Sequence, residues 1–389
     1  MMVDRQGWIA ALGLAILTCG PPAAATDWED RLRYVSADER FSIRLGGRLH
    51  ADIAQIDGES LTSAETEGEL RRARLSLSGT AFGDWRFRYE QDFAADQDAQ
   101  IKDAWIGYQG LDRVRVRAGN LQEPVSLEEL TSSNATTFME RALPNALVAG
   151  YSLGLLAETW GQDWTAALGG FEGRIRAREE EVDQGWGLAG RAVYAPVNAA
   201  GRRLHAGVSF AYREPPGDRR LAFSSQPEIN LSERRLVSTG TLSDVDDTLT
   251  GGIELAGIWG PWSLQAEYLR TEVRRSPRTD VTFQGWYVLG SWFITGGRRA
   301  YDARTGTFDP VRPSGTWGAW ELAARYSVLD LDDGPITGGE ERNWTLGVNW
   351  YANRQTRLMV NWIDAEADPN GDGDREDLRA IQARVQFFF

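Results

Sequence analysis

The sequence predicts an all-β protein, a transmembrane antiparallel β-barrel of about 16 strands with one loop folded into its lumen. Three observations carry that expectation. Apolar and polar residues alternate with period two along almost the whole chain. No apolar stretch beyond residue 25 approaches the ~20 residues of a membrane-spanning helix. The chain ends on an alternating strand whose last residue is Phe389, the usual terminal signature of outer-membrane barrels.

Composition narrows the class further. The 389 residues are 42% hydrophobic and include 16 Trp, 14 Phe and 11 Tyr, too aromatic for a disordered chain. A mean hydropathy of -0.40 is too polar for a bundle of membrane helices. The 42 basic residues against 56 acidic ones leave a net charge of -14, which excludes nucleic acid as a partner because phosphate contacts need a cationic face. Lys102 is the only lysine. Nearly all positive charge is therefore Arg, whose fixed N–H fork suits planar and tetrahedral anions. A G+C-rich genome gives the same skew, so only the positions of the arginines bear on function.

The amino terminus reads as a secretory signal, residues 1–25. Arg5 opens it, an apolar run follows from Trp8 to Leu17, and Ala23, Ala24 and Ala25 offer a cleavage site. Cys19, the only cysteine, lies within this segment, and Thr18 replaces the small residue expected before a lipidated Cys. The mature chain, 26–389, then has neither disulfides nor thiolate metal sites.

Strand parity is clearest near the carboxyl end. Ile381, Ala383, Val385, Phe387 and Phe389 alternate with Gln382, Arg384 and Gln386; Trp344, Leu346, Val348 and Trp350 alternate with Thr345, Gly347 and Asn349. Leu358, Val360 and Trp362, then Trp262, Leu264, Ala266 and Tyr268, and at the start Phe41, Ile43, Leu45 and Leu49, repeat the pattern. A soluble sandwich and a membrane barrel both produce it. Aromatic clusters at strand ends, as in Trp259–Trp262, favour the barrel. So does the expected alternation of tight periplasmic turns, such as Gly260-Pro261 and Ala352-Asn353-Arg354, with long acidic outer loops, such as Arg213 to Thr248 and Asp364 to Asp377.

One segment, 120–148, has no alternation. Ser126 followed by Glu128 and Glu129 predicts a helix start, and Ser132-Ser133-Asn134 a stop. It is too long for an ordinary connection, and its place after about the fifth strand predicts a loop inside the lumen that narrows the pore.

Orienting the early strands by their apolar faces sends arginines inward. Ala73, Leu75 and Leu77 outward put Arg72 and Arg74 in the lumen; Arg86 and Arg88 follow, then Arg113, Arg115 and Arg117. Arg44, Arg48, Arg325 and Arg384 add inward positions. Such rows attract anions and repel cations. The acids concentrate in predicted outer loops and strand ends, at Glu65, Glu67, Glu69, Glu179, Glu180, Glu181, Asp244, Asp246 and Asp247; the alternative is an ordinary charged lumen in which neighbouring Glu90, Asp92 and Glu321 neutralise the arginines.

Four stretches, Gln122–Ser133 with Phe138–Arg141, Gly285–Thr295, Trp317–Tyr326 and Asn343–Trp350, resemble the phosphate-selective porins O and P, and the resemblance covers essentially the mature chain. It implies a homotrimer of 16-stranded barrels in which an arginine ladder leads to a phosphate site beside the infolded loop. By motif it places the paired arginines at Arg71 and Arg72, the serines of the Thr-Ser-Ser turn at Ser132 and Ser133, and the arginine of the Glu-Arg pair at Arg141. One position departs from the family: its phosphate-binding lysine aligns with Glu129, which reverses the local sign of a dehydrated anion site.

Two smaller signals remain. Asp368, Asn370 and Asp372 have the oxygen spacing of a Ca2+ loop, but the twelfth position is Arg379 where a bidentate Glu belongs, and an exposed hairpin with Asn-Gly and Asp-Gly turns is the favoured reading. His50 and His205, the only histidines, lack a nucleophile motif. The sequence thus points to an outer-membrane diffusion channel, in contact with lipid and lipopolysaccharide, that prefers small anions such as phosphate or polyphosphate and uses no cofactor and no catalysis. Its anion-lining candidates are Arg71, Arg72, Arg74, Arg86, Arg88, Arg115, Arg117, Ser132, Ser133 and Arg141, with Glu129 modifying the constriction. The alternatives are a weakly selective porin for small organic solutes and a calcium-dependent barrel enzyme.

Overall fold

A computed structural model describes residues 32–58, 65–94, 100–173, 185–199, 201–232, 234–371 and 373–389. The signal segment, the glutamates at 179–181 and Asp372 of the candidate calcium loop lie outside the described residues.

Sixteen antiparallel strands close into a barrel. The first five are β1 (Ser42–Gly58), β2 (Glu65–Ala81), β3 (Trp85–Asp92), β4 (Gln100–Leu111) and β5 (Val114–Gln122). Beyond the constriction loop come β6 (Tyr151–Trp160), β7 (Trp164–Glu172), β8 (Trp186–Ala199), β9 (Arg202–Glu214) and β10 (Val245–Trp259). The last six are β11 (Trp262–Arg275), β12 (Val281–Thr295), β13 (Ala319–Asp333), β14 (Ile336–Tyr351), β15 (Thr356–Asp368) and β16 (Glu376–Phe388). The barrel closes where β16 pairs with β1, Leu49 opposite Phe387 and Gln55 opposite Ile381. A short strand, Arg33–Val35, adds to the start of β1.

Parity holds as the sequence predicts. Trp344, Leu346, Ile381, Val385 and Phe387 are exposed on the outside, while Thr345, Asn349, Gln382, Arg384 and Gln386 are buried inside. Closure is what permits an apolar exterior in lipid, because every strand then satisfies its backbone groups on both sides.

The connections depart from the expected alternation. Two-residue turns such as Gly260-Pro261, with Gly260 at φ 56°, mark the periplasmic end. The periplasmic connection 296–318, however, is long and turns back into the lumen as a small hairpin pairing Ala300–Asp302 with Thr307–Asp309. The outer connection 215–244 also folds inward, held by Ser224–Ser225 against Val237–Ser238. Three segments, not one, therefore occupy the lumen. Two of them share an apolar core: Leu143 and Leu147 of the constriction loop pack with Ile229, Leu236 and Val237 against Phe283, Leu329 and Ile363 of β12, β13 and β15. That core fills the β10–β16 side, reaching Ala54 and Ile56 of β1, and leaves the β2–β5 side open to water.

Candidate functional site: an arginine-walled chamber

The constriction loop runs from Glu123 to Gly150, so Asn120–Gln122 belong to β5 and not to the loop. It carries the expected short helix, α1 (Leu127–Leu130), capped by Ser126, whose Oγ accepts the Glu129 N–H at 3.2 Å. The Glu267 carboxylate of β11 accepts the Leu127 and Glu128 N–H groups at 2.9 and 2.8 Å, placing a carboxylate at the helix start. Close approach of loop to wall needs glycine at Gly347 and Gly285: a Cβ would meet Phe138 at 2.8 Å in the first and Pro144 at 3.1 Å in the second. Both glycines sit in the stretches that carry the family resemblance.

Wall side chains hold the loop by its backbone. Arg325 donates to Glu140 O at 3.0 Å, Arg384 to Met139 O at 2.6 Å and Arg357 to Thr136 O at 2.7 Å. Asn349 donates to Thr137 O at 2.9 Å, and Asn361 Oδ1 accepts the Met139 N–H at 2.9 Å. Arg325 and Arg384 do point inward, but both are fully buried anchors of the loop, not open ladder positions. Burial would raise the Glu140 carboxyl, yet the Arg71, Arg72 and Arg384 guanidinium groups override it and hold it well below the usual carboxylate range. Glu128 moves the other way: burial raises it, and Arg325 only partly offsets the shift.

Between the loop and β1–β5 lies a chamber of about 550 Å³. Its wall brings together Arg71, Arg72, Arg74, Arg88, Arg117, Arg141, Ser132, Ser133 and Glu129 of the sequence-predicted set. Arg48 joins them, donating to Ser133 Oγ at 2.9 Å and Ser132 Oγ at 3.3 Å. Arg86 and Arg115 lie outside this chamber. They line a second cavity of about 640 Å³ toward the periplasm, with Arg33, Arg44, Arg88 and Arg304, where Asp302 is the one carboxylate among the described lining residues. Arg88 and Trp105 border both spaces and form the neck between them. Arg113 is not on a strand face; it sits exposed in the β4–β5 turn at φ 55°.

Two β-bulges aim consecutive charged residues into the chamber. His50 pairs with Arg72 and Ala51 with Leu70, so Arg71 is an extra residue and faces the lumen beside Arg72. Tyr89 pairs with Ala104 and Gln91 with Ile101, so Lys102 and Asp103 together oppose Glu90. Strict alternation would have sent Arg71 and Lys102 to the lipid face.

The arginines are held by shared carboxylates. Glu90 accepts from Arg48, Arg74 and Arg88 at 3.1, 3.2 and 2.6 Å. Glu140 accepts from Arg71 at 2.9 Å through both oxygens, and Glu158 from Arg115 and Arg117 at 2.7 and 2.8 Å. Glu129 accepts from Gln122 at 3.1 Å and pairs with Arg141 Nε at 3.2 Å. These acids fix the guanidinium planes; Glu90 is the neutralising neighbour that the sequence offers, whereas Glu140 of the loop and Glu158 of β6 are not marked by strand parity. Arg48, Arg74 and Arg88 are balanced by Glu90, Asp92 and Asp103, whereas Arg115 and Arg117 share Glu158 and Arg71 and Arg72 share Glu140, so the excess positive charge lies on those two pairs.

The histidines are lumen residues. His50 lies 3.2 Å from Asn134 Oδ1 and 3.5 Å from Arg72; His205 lies 2.6 Å from Tyr301 OH and 3.1 Å from Glu254. In the candidate calcium loop Asp368 accepts the Gly373 N–H at 3.0 Å, and Arg379 pairs with Asp364 on the neighbouring strand at 2.8 Å.

The model of the phosphate-selective porin O and P family matches residues 43–389. The chain belongs to that family. Among this porin's relatives is Porin O of Pseudomonas aeruginosa, 27% identical over 92% of this chain and 91% of its own length. An uncharacterised protein of Caulobacter vibrioides is 30% identical over 95% of this chain and 78% of its own. The fold matches the anion-selective porin from Comamonas acidovorans with a TM-score of 0.58 at 13% identity, covering 90% of this chain and all of that one. It also matches the trimer form of OmpT from Vibrio cholerae with a TM-score of 0.56 at 10% identity, covering 90% and 99%. This porin is an outer-membrane channel.

Proposed function

We propose that this porin passes small anions, inorganic phosphate among them, by passive diffusion with no chemical step. The carrying observation is the charge of the chamber wall: among the described residues eight cationic side chains face it against five carboxylates, although the whole chain is net negative. A low-dielectric wall focuses that local excess on the ion path and overrides distant loop charges. Phosphate would exchange water for guanidinium and hydroxyl donors, each bond strengthened by charge. The ten arginine and serine positions divide between an entry chamber and a periplasmic exit, with Arg88 at the neck.

Titrating phosphate into a chloride conductance tests the reading. Saturable block at constant ionic strength is the expected result, whereas chloride current unchanged by phosphate removes the site. The second reading, a weakly selective channel for small organic solutes, is favoured by Glu129 and by the amides Gln100, Asn120, Gln122 and Asn230 on the chamber wall. It predicts flux of neutral sugars comparable to that of anions in liposome swelling.

A homotrimer fits the outer surface. Of the exposed tryptophans only Trp85 lies on β1–β5, while β7–β15 carry them at both ends. With β3 only 8 residues long, against the 9–11 of a typical spanning strand, this arc suits a protein neighbour better than lipid. Light scattering in detergent tests it: a monomer mass contradicts the assignment.

A further inference from the structure

Family resemblance puts Glu129 where a phosphate-binding lysine belongs, yet the chain does have one lysine, and a bulge in β4 turns it into the same chamber. We propose that Lys102 is the cation that seats an oxyanion of the inorganic-phosphate type at the constriction, supplying from the barrel wall the positive charge that the loop lacks. The inference rests on the anion-channel reading and names its specificity-determining residue.

Lys102 is available to an anion. Every arginine of the chamber except Arg72 lies within 3.2 Å of a carboxylate, as Arg74 does of Glu90 and Asp92 at 3.2 and 2.7 Å. The Lys102 ammonium forms no hydrogen bond or ion pair with any described residue. It lies 5.6 Å from the centroid of the Tyr151 ring, a contact that steadies the charge, and no described residue takes its three N–H donors. An anion entering the chamber therefore binds Lys102 without displacing an internal carboxylate.

The surroundings of Lys102 favour an anion as well. Asp103, its neighbour in the bulge, already accepts from Arg88 at 2.9 Å and Trp105 at 3.1 Å. Glu129 is held by Gln122 and Arg141, which blunts its opposition to an anion. Arg72 is the chamber's other under-satisfied cation: it is nine-tenths buried, its Nε has no partner, and its Nη2 stays 3.8 Å from Glu140. A tetrahedral oxyanion has enough acceptor oxygens to meet both a buried arginine and a rotatable ammonium, and it satisfies groups that the protein leaves open.

Because Lys102 is the sole lysine, amine chemistry reads it directly. The purified trimer is treated with a sulfo-N-hydroxysuccinimide acetate ester, with inorganic phosphate or with chloride at equal ionic strength, and acetylation is followed by mass spectrometry. Phosphate should slow Lys102 acetylation several-fold and leave the α-amine unchanged; equal rates at Lys102 overturn the proposal. In bilayers, Lys102→Gln should raise the half-blocking phosphate concentration about tenfold, equivalent to ~1.4 kcal/mol. Lys102→Arg should keep it within about threefold, and the exchange Lys102→Glu with Glu129→Lys should restore block lost in Lys102→Glu alone. Block unchanged in Lys102→Gln contradicts the assignment while the wild-type block stands. Absence of block in the wild type overturns both this inference and the reading beneath it.

Discussion

The two sides of the lumen use the same residue for opposite purposes. On β13–β16, Arg325, Arg357 and Arg384 are sealed from water, with Arg325 1% exposed, and end on loop carbonyls and buried carboxylates. On β2–β5, Arg71, Arg88 and Arg115 keep side-chain exposures of 23%, 31% and 24% and end on carboxylates they share. An inward arginine is thus not by itself a ladder rung. The loop core packed against β10–β16 removes water from one wall and converts its arginines into anchors, and water on the other wall leaves positive charge for a passing ion.

Breaking the anchor wall should have the largest effect. Arg325→Ala strands Glu228 and Glu128, which Arg325 meets at 2.5 and 3.2 Å, and should destabilise the barrel by about 3–5 kcal/mol, visible as a lower urea midpoint. It should also free the loop and increase single-channel conductance; a stable barrel with wild-type conductance would show that the anchor is redundant. Arg88→Gln on the open wall should do the reverse. Glu90 retains Arg48 and Arg74, so stability should shift by less than ~1 kcal/mol, whereas chloride permeability relative to potassium should drop severalfold.

Glu129→Lys sharpens the comparison from the loop side. It adds a cation next to Arg141 and should tighten phosphate block by about tenfold, worth ~1.4 kcal/mol. Looser block would mean that repulsion of Arg141 outweighs the new contact. Acid should have the smallest effect. Because the Glu140 pKa is depressed, its stabilisation of the loop is complete above the ordinary carboxylate range and is lost only as pH falls through the depressed value. The Glu140 contacts should therefore persist from neutral pH to ~4, and any conductance change within that window should vanish in Glu128→Gln, the loop carboxyl that burial raises. Release of the loop already at pH 5 in Glu128→Gln, seen as a rise in conductance, would place the anchor elsewhere.

Much of this was legible in the sequence. Outward rows such as Trp344, Leu346 and Val348 gave strand orientation, and Ser126 with Glu128 and Glu129 gave the start of α1, because side-chain parity and capping are local. Arg71 and Lys102 were not legible by parity, since each bulge resets it; only the family motif pointed to Arg71. The inward turn of 296–318 was hidden as well. Its anchors, Arg191 donating to Gly306 O at 2.7 Å and His205 meeting Tyr301, lie on strands about a hundred residues earlier. The fate of Arg325 and Arg384 depended on which loop would cover them, again a non-local fact.

The central claim is that the open wall, and not the negative total, sets ion preference. The reversal potential of the wild-type channel in a potassium chloride gradient measures this directly. A potential toward the chloride equilibrium value is the predicted result, and one toward the potassium value would contradict it.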